Sequence, residues 1–537
     1  MAAVLILSSV TVVSAATEVE INNSIMMGLE WLANDQEGDG SWPDYYGDEA
    51  TTGLALLKLC EYAKEQGLDP YDPDYIYSSN VTAGLNYLYS RMSVVDLSLQ
   101  NHTAGASGMI DDPDSNGNGV GIYMSGYNSY TTGIGLSALS VCGLPERVVN
   151  APNTVVDGMT QAQIAQDMVD WLAYAQSDYN YDYTGDNDCG EGGWYYWALD
   201  NSNTVPDNSN TGYAVLGLSY AEDFGSTVPQ WVKTELNAFI GCIQDPVNGD
   251  ENDGGSWYRN IGDTGIFIGT NILKTGNLIF EMAFVGDAPD AQRVTDATDY
   301  LARHWDDASG NNQPPGWKGD PAQYQAMFTA MKGLEYMGID TFDSIDWYQN
   351  FSDVIVAQQE ADGSWISSSE GRGNPTIITT WALLTLEKSS PETPMISVFV
   401  DIKPSSCPNP INTKSKGVLP VAVLGTYDFD VTTIDPASIR IKLDPGTDGV
   451  APVRWNYEDV ATPFEGELCD CHDLNGDGFM DLTLKFDTQE VVALTLTDEM
   501  GETIPLTITG NLMEEFGGTP IEGQDCVRVL EDKGKKK

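Results

Sequence analysis

A seven-residue stretch that occurs twice constrains the fold of this chain more than any other feature. It reads Gln-Glu-Gly-Asp-Gly-Ser-Trp at 36–42 and Gln-Glu-Ala-Asp-Gly-Ser-Trp at 359–365, so six of the seven positions agree. Each copy follows an apolar-periodic segment and, after a loop, precedes a second one, at 50–59 and 377–386. The glycine allows a corner that a Cβ would block, the tryptophan buries a large ring, and Thr-Thr can cap the second helix. The repeated unit is therefore helix, corner, loop, helix.

The same order of parts occurs four more times between the two copies. The additional corners are Gly121–Tyr123, Gly193–Trp194, Gly255–Trp257 and Gly316–Trp317. The segments before the corners are the more amphipathic ones, and those after them are apolar throughout. Six such pairs close into a ring with the apolar helices inside. The sequence therefore predicts a mainly α chain whose residues 17–388 form an α/α toroid of six helix pairs.

This pattern also carries a family resemblance. The Q-x-x-D-G-S-W corner and the T-T-G/x-A-L-x-x-L helix after it resemble the repeat of squalene-hopene cyclases and protein prenyltransferase β subunits, over residues 24–388. The resemblance to this prenyltransferase/squalene-oxidase repeat family implies the terpenoid-cyclase type of toroid. It does not select a function, because such toroids also serve in binding proteins and thioester proteins.

The catalytic signatures of the resembled enzymes are missing from the sequence. It contains neither the Asp-x-Asp-Asp acid of squalene-type cyclases nor the Asp-Asp-x-x-Asp string that binds magnesium diphosphate. Prenyltransferases hold zinc with Asp, Cys and His of the inner ring. The histidines here are His102 in a predicted loop, His304 in an outer helix and His472 in the tail, so no zinc is expected.

A set of acids and rings lies at or near the starts of the predicted inner helices. The candidate ligand-cavity residues are Asp48, Glu49, Tyr130, Asp207, Asp320 and, inside the last helix, Trp381. Acids at helix N-termini ordinarily cap the helix or interact with its dipole. The functional alternatives are sugar stacking with acid/base cleavage of a glycosidic bond, or stabilisation of a carbocation. Both reactions need an acid that burial keeps protonated.

The N-terminus and the composition favour an exterior location. Residues 1–16 form a short apolar run ending in small residues, which predicts a signal peptide. Eighty acidic residues against 25 basic ones give a formal net charge of -55, so neither nucleic acid nor an anionic membrane is an expected partner. No later run is long and apolar enough for a transmembrane segment. We therefore expect an extracellular or cell-surface protein.

The eight cysteines divide evenly between the repeats and the tail. Within the repeats, Cys60 and Cys142 lie in apolar helices and are interpreted as buried free thiols. In the tail, Cys407 or Cys526 paired with Cys469 or Cys471 would form a disulfide, as an exported protein favours.

The character of the sequence changes near residue 390. Residues 389–395 form a Ser/Pro-rich linker, and alternating apolar runs after it predict an all-β, sandwich-like domain over 396–530, with a charged tail at 531–537. Runs near 401–421 and 429–433 resemble a module found at the ends of secreted archaeal and bacterial proteins. Attachment or spacing is the role that this resemblance suggests.

One motif in this β domain predicts a Ca²⁺ site. Its ligands would be Asp473, Asn475, Asp477, the backbone carbonyl of Phe479 and Asp481, in the spacing of a calcium loop with glycine at its sixth position. Leu484 stands where an EF-hand has its bidentate glutamate, so Asp470 or Glu490 would have to supply that ligand. The alternative is an Asx-rich turn without metal. Residues 112–118 repeat the pattern more poorly, and there a plain loop is expected.

These inferences leave three classes of function open. The first is an exported toroid that binds a small hydrophobic molecule (lipid or terpenoid) or a glycan, or that serves as a surface-structural module. The second is a terpene-cyclase-like or prenyltransferase-like enzyme, and the third is a secreted glycan hydrolase or lyase. The cavity lining distinguishes them: smooth apolar walls with one buried acid favour a cyclase, facing carboxylates with exposed tryptophans favour a glycosidase, and a filled or narrow pore favours a structural role.

Overall fold

The chain divides into two compact units, Met1–Glu392 and Thr393–Lys537. The computed structural model describes residues 15–44, 47–102, 109–178, 190–198, 200, 205–262, 269–308, 316–367, 373–391, 396–426, 429–443, 449–464, 468–469, 475–494, 501–513 and 520–530. Within these ranges no helix has the length and apolar character needed to cross a membrane.

The first unit is mainly helical, and its helices alternate along the chain between two environments. The outer helices are α1 (Glu18–Asn34), α3 (Ser78–Ser90), α5 (Gln161–Ala175), α7 (Gln230–Ile243), α9 (Gln292–His304) and α11 (Trp347–Ala357). The inner helices are α2 (Asp48–Glu65), α4 (Asn128–Cys142), α6 (Asn208–Asp223), α8 (Ile272–Phe284), α10 (Tyr324–Tyr336) and α12 (Pro375–Leu386). Inner helices such as α4 and α12 are buried nearly all round, whereas α1 buries one stripe. This division follows from the residues, because only a helix that is apolar on every side can be packed on every side.

The inner helices contact one another in a closed cycle. Each packs on the next in chain order, and α12 packs on α2. Small residues bring neighbours close: a Cβ on Gly133 of α4 would lie 2.2 Å from the backbone oxygen of Tyr213 in α6. Gly217 of α6 faces Gly133 in return. The backbones of α4 and α6 are therefore in direct contact, which a larger side chain would prevent.

The repeated corner joins the two kinds of helix with the same hydrogen bonds in several units. The rings of Trp42, Trp194 and Trp365 are fully buried, and each Nε1 donates to a carbonyl in the last turns of the preceding outer helix at 2.7–2.8 Å. Their backbone N–H groups donate to a threonine hydroxyl of the following inner helix, as Trp42 does to Thr52 at 2.9 Å. The expectation that Thr-Thr caps this helix is therefore wrong, because Thr52 lies inside α2 and holds the corner instead.

A glutamine beside the corner links each outer helix to the next in at least four places. Gln36 Nε2 donates to the corner carbonyl of Gly40 and to Asn80 of α3, at 2.9 and 3.0 Å. Gln359 makes the same two bonds to Gly363 and to Ser24 of α1, both within 2.9 Å, and so joins the last unit to the first. Gln176 and Gln244 repeat the arrangement between these ends.

Three of the predicted corners lack this full set of hydrogen bonds. At the fifth corner Trp317 is buried, but its Nε1 has no hydrogen-bond partner among the described residues. Gly121–Tyr123 lies in strand β4 rather than in a glycine turn, and Met124 occupies the tryptophan position, since its N–H donates to Thr132. In the fourth unit the equivalent residue is Ser256, whose N–H donates to Thr275 at 3.0 Å. Trp257 lies one position later, because this corner contains an extra glycine.

Short hairpins interrupt the helices. They comprise β1 (Met92–Asp96) with β4 (Val120–Met124), β2 (Gln100–His102) with β3 (Met109–Asp111), and β5 (Thr341–Phe342) with β6 (Ile345–Asp346), all antiparallel. The polar loop at 112–118 lies beside them. Its Asn116 and Asn118 amides donate to Asp167 of α5.

Cys60 and Cys142 form a disulfide between α2 and α4. The interpretation of these residues as free thiols is therefore wrong. Each occupies a similar place in its own inner helix, and the contact between neighbouring inner helices brings them together. Among the described cysteines none is free.

Asp170 of α5 is expected to give the first unit a measurable pH dependence. Burial raises the pKa of Asp170 to about 7, so the folded chain binds a proton that the unfolded chain releases near pH 4. The stability that this group contributes is complete below pH 4 and is lost as the pH rises to 7. Relative to Asp170→Asn, the wild type should lose on the order of 2–4 kcal/mol between pH 4 and pH 8 in denaturant titrations. Asp74→Asn, at an exposed acid, is the control and should show no such change.

The second unit is predominantly β. Its strands are β7 (Ile396–Ser397), β8 (Phe399–Ile402), β9 (Pro410–Ile411), β10 (Val418–Leu424), β11 (Ile434–Lys442), β12 (Arg454–Glu458), β13 (Asp481–Asp487), β14 (Thr503–Leu512) and β15 (Pro520–Val529). Its described residues also include a short α-helix, α13 (Thr488–Val492), and a 3₁₀ helix (Val431–Thr433). They form a sheet in the order β12-β13-β10-β8 and another in the order β11-β14-β15-β7, with β9 beside β15. Both sheets contribute to one apolar core. Cys469 and Cys526 form a disulfide, which is one of the predicted pairings.

Candidate functional site

Three of the predicted cavity residues lie close together, and three do not. The Tyr130 ring of α4 packs edge-on against the Tyr213 ring of α6, with centroids 4.5 Å apart. The Tyr213 hydroxyl in turn neighbours Trp381 of α12. Because α6 and α12 lie opposite each other in the cycle of inner helices, these rings meet across its middle. We call Tyr130, Tyr213 and Trp381 the inner aromatic cluster.

Two polar atoms of this cluster lack hydrogen bonds to the described residues. Tyr213 is 2% exposed and Trp381 3% exposed, and neither the Tyr213 hydroxyl nor the Trp381 Nε1 makes a hydrogen bond of ordinary geometry to a described residue, although the side chains of Trp381, Tyr130 and Gln325 lie near the Tyr213 hydroxyl. A buried donor without a partner costs about 1–3 kcal/mol, so such groups normally face water or a ligand. The cluster therefore offers hydrogen bonds in an aromatic setting.

Asp207, the third of these residues, is the N-cap of α6. Its carboxylate accepts hydrogen bonds from the Asn210 backbone N–H, from the Asn210 side-chain amide to both oxygens, and from the Ser209 hydroxyl, all within 3.0 Å. Burial raises the pKa of Asp207, while these bonds and the charge of Arg259 oppose the rise. The capping role that sequence reasoning favours for such acids is therefore present here.

A triangle of hydroxyls continues outward from Asp207. Ser209 Oγ lies 3.0 Å from the hydroxyls of both Tyr196 and Tyr258, and the two tyrosine hydroxyls are 3.3 Å apart. Burial is the main cause that raises the pKa of both tyrosines, so they remain neutral and can donate. These three hydroxyl groups form a polar surface beside the aromatic rings.

A second group of rings, which we call the outer aromatic cluster, consists of Tyr127, Tyr195, Tyr196 and Trp197. Its neighbouring ring centroids lie 5.4–6.3 Å apart. Trp197 is 54% exposed, although indole rings are usually covered. Tyr196 stacks with Tyr130 at 6.2 Å and so connects the outer cluster to the inner one. Sequence reasoning missed this cluster, although the run Tyr-Tyr-Trp directly after the corner at Trp194 was a visible signal.

The other predicted cavity residues have local structural partners. Glu49 is buried and forms an ion pair with Arg91, with Nε 2.6 Å from Oε1. Asp48 accepts the backbone N–H of Asp44 at 2.8 Å. Asp320 is exposed and precedes a cis proline. None of the three joins the aromatic clusters in the described contacts.

The opposite end of the inner helices holds buried charges. Lys58 forms an ion pair with Glu387, and Tyr220 donates to Glu61 at 2.5 Å, beside a cavity of about 380 Å³. Deeper between the helices, burial lowers the pKa of Lys332 to about 7, while the charge of Glu281 opposes that change. Lys332 Nζ donates to the Gly212 carbonyl at 3.1 Å. These groups crosslink inner helices.

The predicted calcium loop is described only in part, since Asp473 lies outside the described residues. Asp481 is fully buried, and its two oxygens accept backbone N–H groups of Gly425, Val460 and Ala461 at 2.8–3.1 Å. Asp477 accepts the Phe479 N–H at 3.0 Å, and Asn475 is exposed. Asp459, which is outside the motif, accepts the N–H groups of Asp477 and Gly478 and so shapes the turn. The metal itself stays a prediction.

The comparisons with known proteins do not assign a family. No family model matches the sequence, and no curated protein matches it. Similar solved structures include the type II terpene cyclase MstE from Scytonema in its apo form, at 14% identity over 70% of this chain and 98% of that chain, with a TM-score of 0.37. A variant of that enzyme in complex with its product merosterolic acid A gives 13% identity, 69% and 97% coverage and a TM-score of 0.38. The glucoamylase of Hormoconis resinae gives 9% identity, 96% and 97% coverage and a TM-score of 0.35. At TM-scores below 0.5 these similarities carry no argument about activity.

Proposed function

We propose that this chain is an exported binding protein whose first unit, a six-unit α/α toroid, binds a carbohydrate at the outer aromatic cluster. The observation that carries the proposal is Trp197, an exposed indole in contact with Tyr127, Tyr195 and Tyr196. Exposed indole and phenol rings that adjoin hydrogen-bonding groups mark binding surfaces. A sugar presents an apolar C–H face to such rings and hydroxyls to their surroundings.

The polar groups beside the outer aromatic cluster are suited to bind the hydroxyl groups of a sugar. The Tyr196 and Tyr258 hydroxyls can each donate or accept, as sugar hydroxyls require, and Ser209 Oγ, whose proton is donated to Asp207, can accept. Further inside, the Tyr213 hydroxyl and the Trp381 N–H offer two more hydrogen bonds. A lipid or terpenoid would leave these polar atoms unsatisfied, which favours the glycan among the ligands that the sequence leaves open.

A second candidate is an acid-catalysed enzyme, because Asp207 is a buried carboxyl whose burial raises its pKa. The hydrogen bonds that Asp207 accepts from Asn210 and Ser209 occupy both of its oxygens, which suits a cap more than a proton donor. Carbohydrate binding without catalysis is therefore the favoured function. Detection of a product formed from a bound oligosaccharide would favour the enzyme instead.

The second unit is proposed to place the binding unit outside the cell. Its candidate calcium loop would involve Asp473, Asn475, Asp477, Phe479 and Asp481, and the turn-shaping carboxylate of Asp459 would stabilise it. The disulfides fit an oxidising exterior, where such bonds persist.

Trp197→Ala tests the carbohydrate site. On an oligosaccharide array, the intact wild-type chain should bind a defined subset of glycans, and Trp197→Ala should weaken their Kd at least about tenfold, as loss of a central aromatic contact does. The matched control is Trp455→Ala, because Trp455 is similarly exposed (48%) but belongs to the second unit. Equal loss in both variants, or retention of fatty-acid and terpenoid ligands in place of glycans, would contradict the proposal.

A further inference from the structure

Three carboxylates converge in the loop between α7 and the following corner. Asp245, Asp250 and Asp253 each offer an oxygen, and these oxygens all lie within 4.8 Å of one another. Asp245 is buried at 5% exposure, Asp253 is half-buried and Asp250 is exposed. The equivalent stretch of the first unit, between Gln36 and Trp42, is shorter and has no counterpart of this loop.

An orphaned buried oxygen distinguishes this cluster from a solvated acidic turn. Asp245 Oδ2 accepts the indole N–H of Trp257 at 2.6 Å, whereas its Oδ1 has no hydrogen-bond partner among the described residues. In the corners at Trp42, Trp194 and Trp365 the indole donates to a backbone carbonyl instead, as Trp42 does to Leu32. Here the indole fixes a carboxylate in the interior, and a buried carboxylate oxygen without a donor is costly unless a cation meets it.

The surrounding contacts hold the loop in place. Asp253 accepts the backbone N–H groups of Asn248, Gly249 and Asp250 at 2.9–3.2 Å. Thr270, next to the N-cap of α8, donates to the Asn252 side chain at 2.9 Å. The carboxylates are therefore brought together by the fold rather than left to repel one another into solvent.

We propose that Asp245, Asp250 and Asp253 bind a divalent cation, with Ca²⁺ as the best match. All three ligands are hard oxygen donors, which Ca²⁺ prefers and softer metals do not. Ca²⁺ binds oxygens at about 2.3–2.6 Å, so two of its ligands lie at most about 5 Å apart, in agreement with the observed limit. Exposed Asp250 leaves room for water to complete the coordination.

The site adjoins the proposed carbohydrate site along the chain. After the loop, Ser256 Oγ accepts a hydrogen bond from the side-chain amide of Asn208. The backbone carbonyl of Tyr258 accepts the backbone N–H of Asn208, and the Tyr258 hydroxyl contacts Ser209. A cation that orders the loop would therefore also position Tyr258. This coupling rests on the proposed function, whereas the cation site itself does not.

The test is calcium stoichiometry by isothermal titration of the chelator-treated full chain, followed by Tb³⁺ luminescence under tryptophan excitation. Asp250→Asn should fold, since Asp250 is exposed, and should remove one Ca²⁺ per chain together with the Tb³⁺ emission that Trp257 sensitises. Asp477→Asn, in the loop of the second unit, should leave that emission in place, and Asp74→Asn should change nothing. We expect a Kd of about 10⁻⁴–10⁻³ M, as in extracellular calcium-binding modules.

Two results would overturn the proposal. In the first, Asp250→Asn removes neither a bound Ca²⁺ nor any Tb³⁺ emission; in the second, Asp74→Asn causes the same loss as Asp250→Asn. Loss of the cation with unchanged glycan binding would refute only the coupling to Tyr258. Loss of glycan binding in Trp197→Ala with calcium stoichiometry intact would show that the two sites are separable.

Discussion

Replacing both Cys60 and Cys142 with alanine is expected to lower the free energy of unfolding of the first unit by about 4 kcal/mol. The disulfide closes a segment of 82 residues between α2 and α4. In the chain-entropy account, releasing a loop of that size restores about 4–5 kcal/mol of conformational freedom to the unfolded chain. Because both residues are fully buried, the alanines also leave small cavities. Urea titration followed by far-UV circular dichroism measures the change.

The matched control for this double variant is Cys469→Ala with Cys526→Ala, which removes the disulfide of the second unit. That control should shift the β transition and leave the helical transition near its wild-type midpoint. A Cys60/Cys142 double variant whose helical transition is unchanged would show that the bond does not constrain the ring of inner helices.

Gly133→Ala is expected to destabilise the first unit by about 1–2 kcal/mol, although alanine is the better helix former. The added Cβ would lie 2.2 Å from the Tyr213 backbone oxygen, so α4 and α6 must separate. Overpacking of this kind typically costs about 1–3 kcal/mol and outweighs the helix-propensity gain of about 1 kcal/mol. Since Tyr213 belongs to the inner aromatic cluster, glycan affinity should fall as well.

Gly241→Ala is the matched control for this substitution. Gly241 lies in outer helix α7, is exposed, and has no atom within 4 Å of an added Cβ. The free energy of unfolding of Gly241→Ala should therefore rise by up to about 1 kcal/mol. If Gly133→Ala were as stable as Gly241→Ala in thermal and urea unfolding, the direct backbone contact between α4 and α6 would be refuted.

The helical framework could be predicted because its signals are local and repeated. The two near-identical heptads identify the corners at Trp42 and Trp365, and both rings are buried as expected. The third-unit corner at Trp194 follows the same rule. The predicted corner of the fourth unit is wrong because one extra glycine moves Trp257 off the corner position. The predicted corner of the second unit is wrong because strand β4 replaces the turn. A single sequence does not show which inserted residue changes the register.

The candidate site was harder to predict, because it depends on which helices face one another. Tyr130 and Asp207 are predicted from their places near helix starts and Trp381 from its place inside the last helix, and the folded ring brings Tyr130 and Trp381 to Tyr213. Glu49 and Asp48 share the same local signal and instead meet Arg91 and Asp44. The disulfide between Cys60 and Cys142 likewise follows from contact between neighbouring inner helices, which periodicity does not specify.

The most direct test of carbohydrate binding at the outer aromatic cluster is ¹⁹F NMR of the full chain labelled with 5-fluorotryptophan, titrated with an oligosaccharide that binds on the array. The Trp197 resonance is assigned by its absence from Trp197→Phe, and Trp455→Phe assigns the control. The proposal predicts that the Trp197 resonance shifts in a saturable manner and that Trp381 follows if the ligand reaches the inner cluster, while Trp455 stays unchanged. A ligand that binds and leaves the Trp197 resonance in place would contradict it.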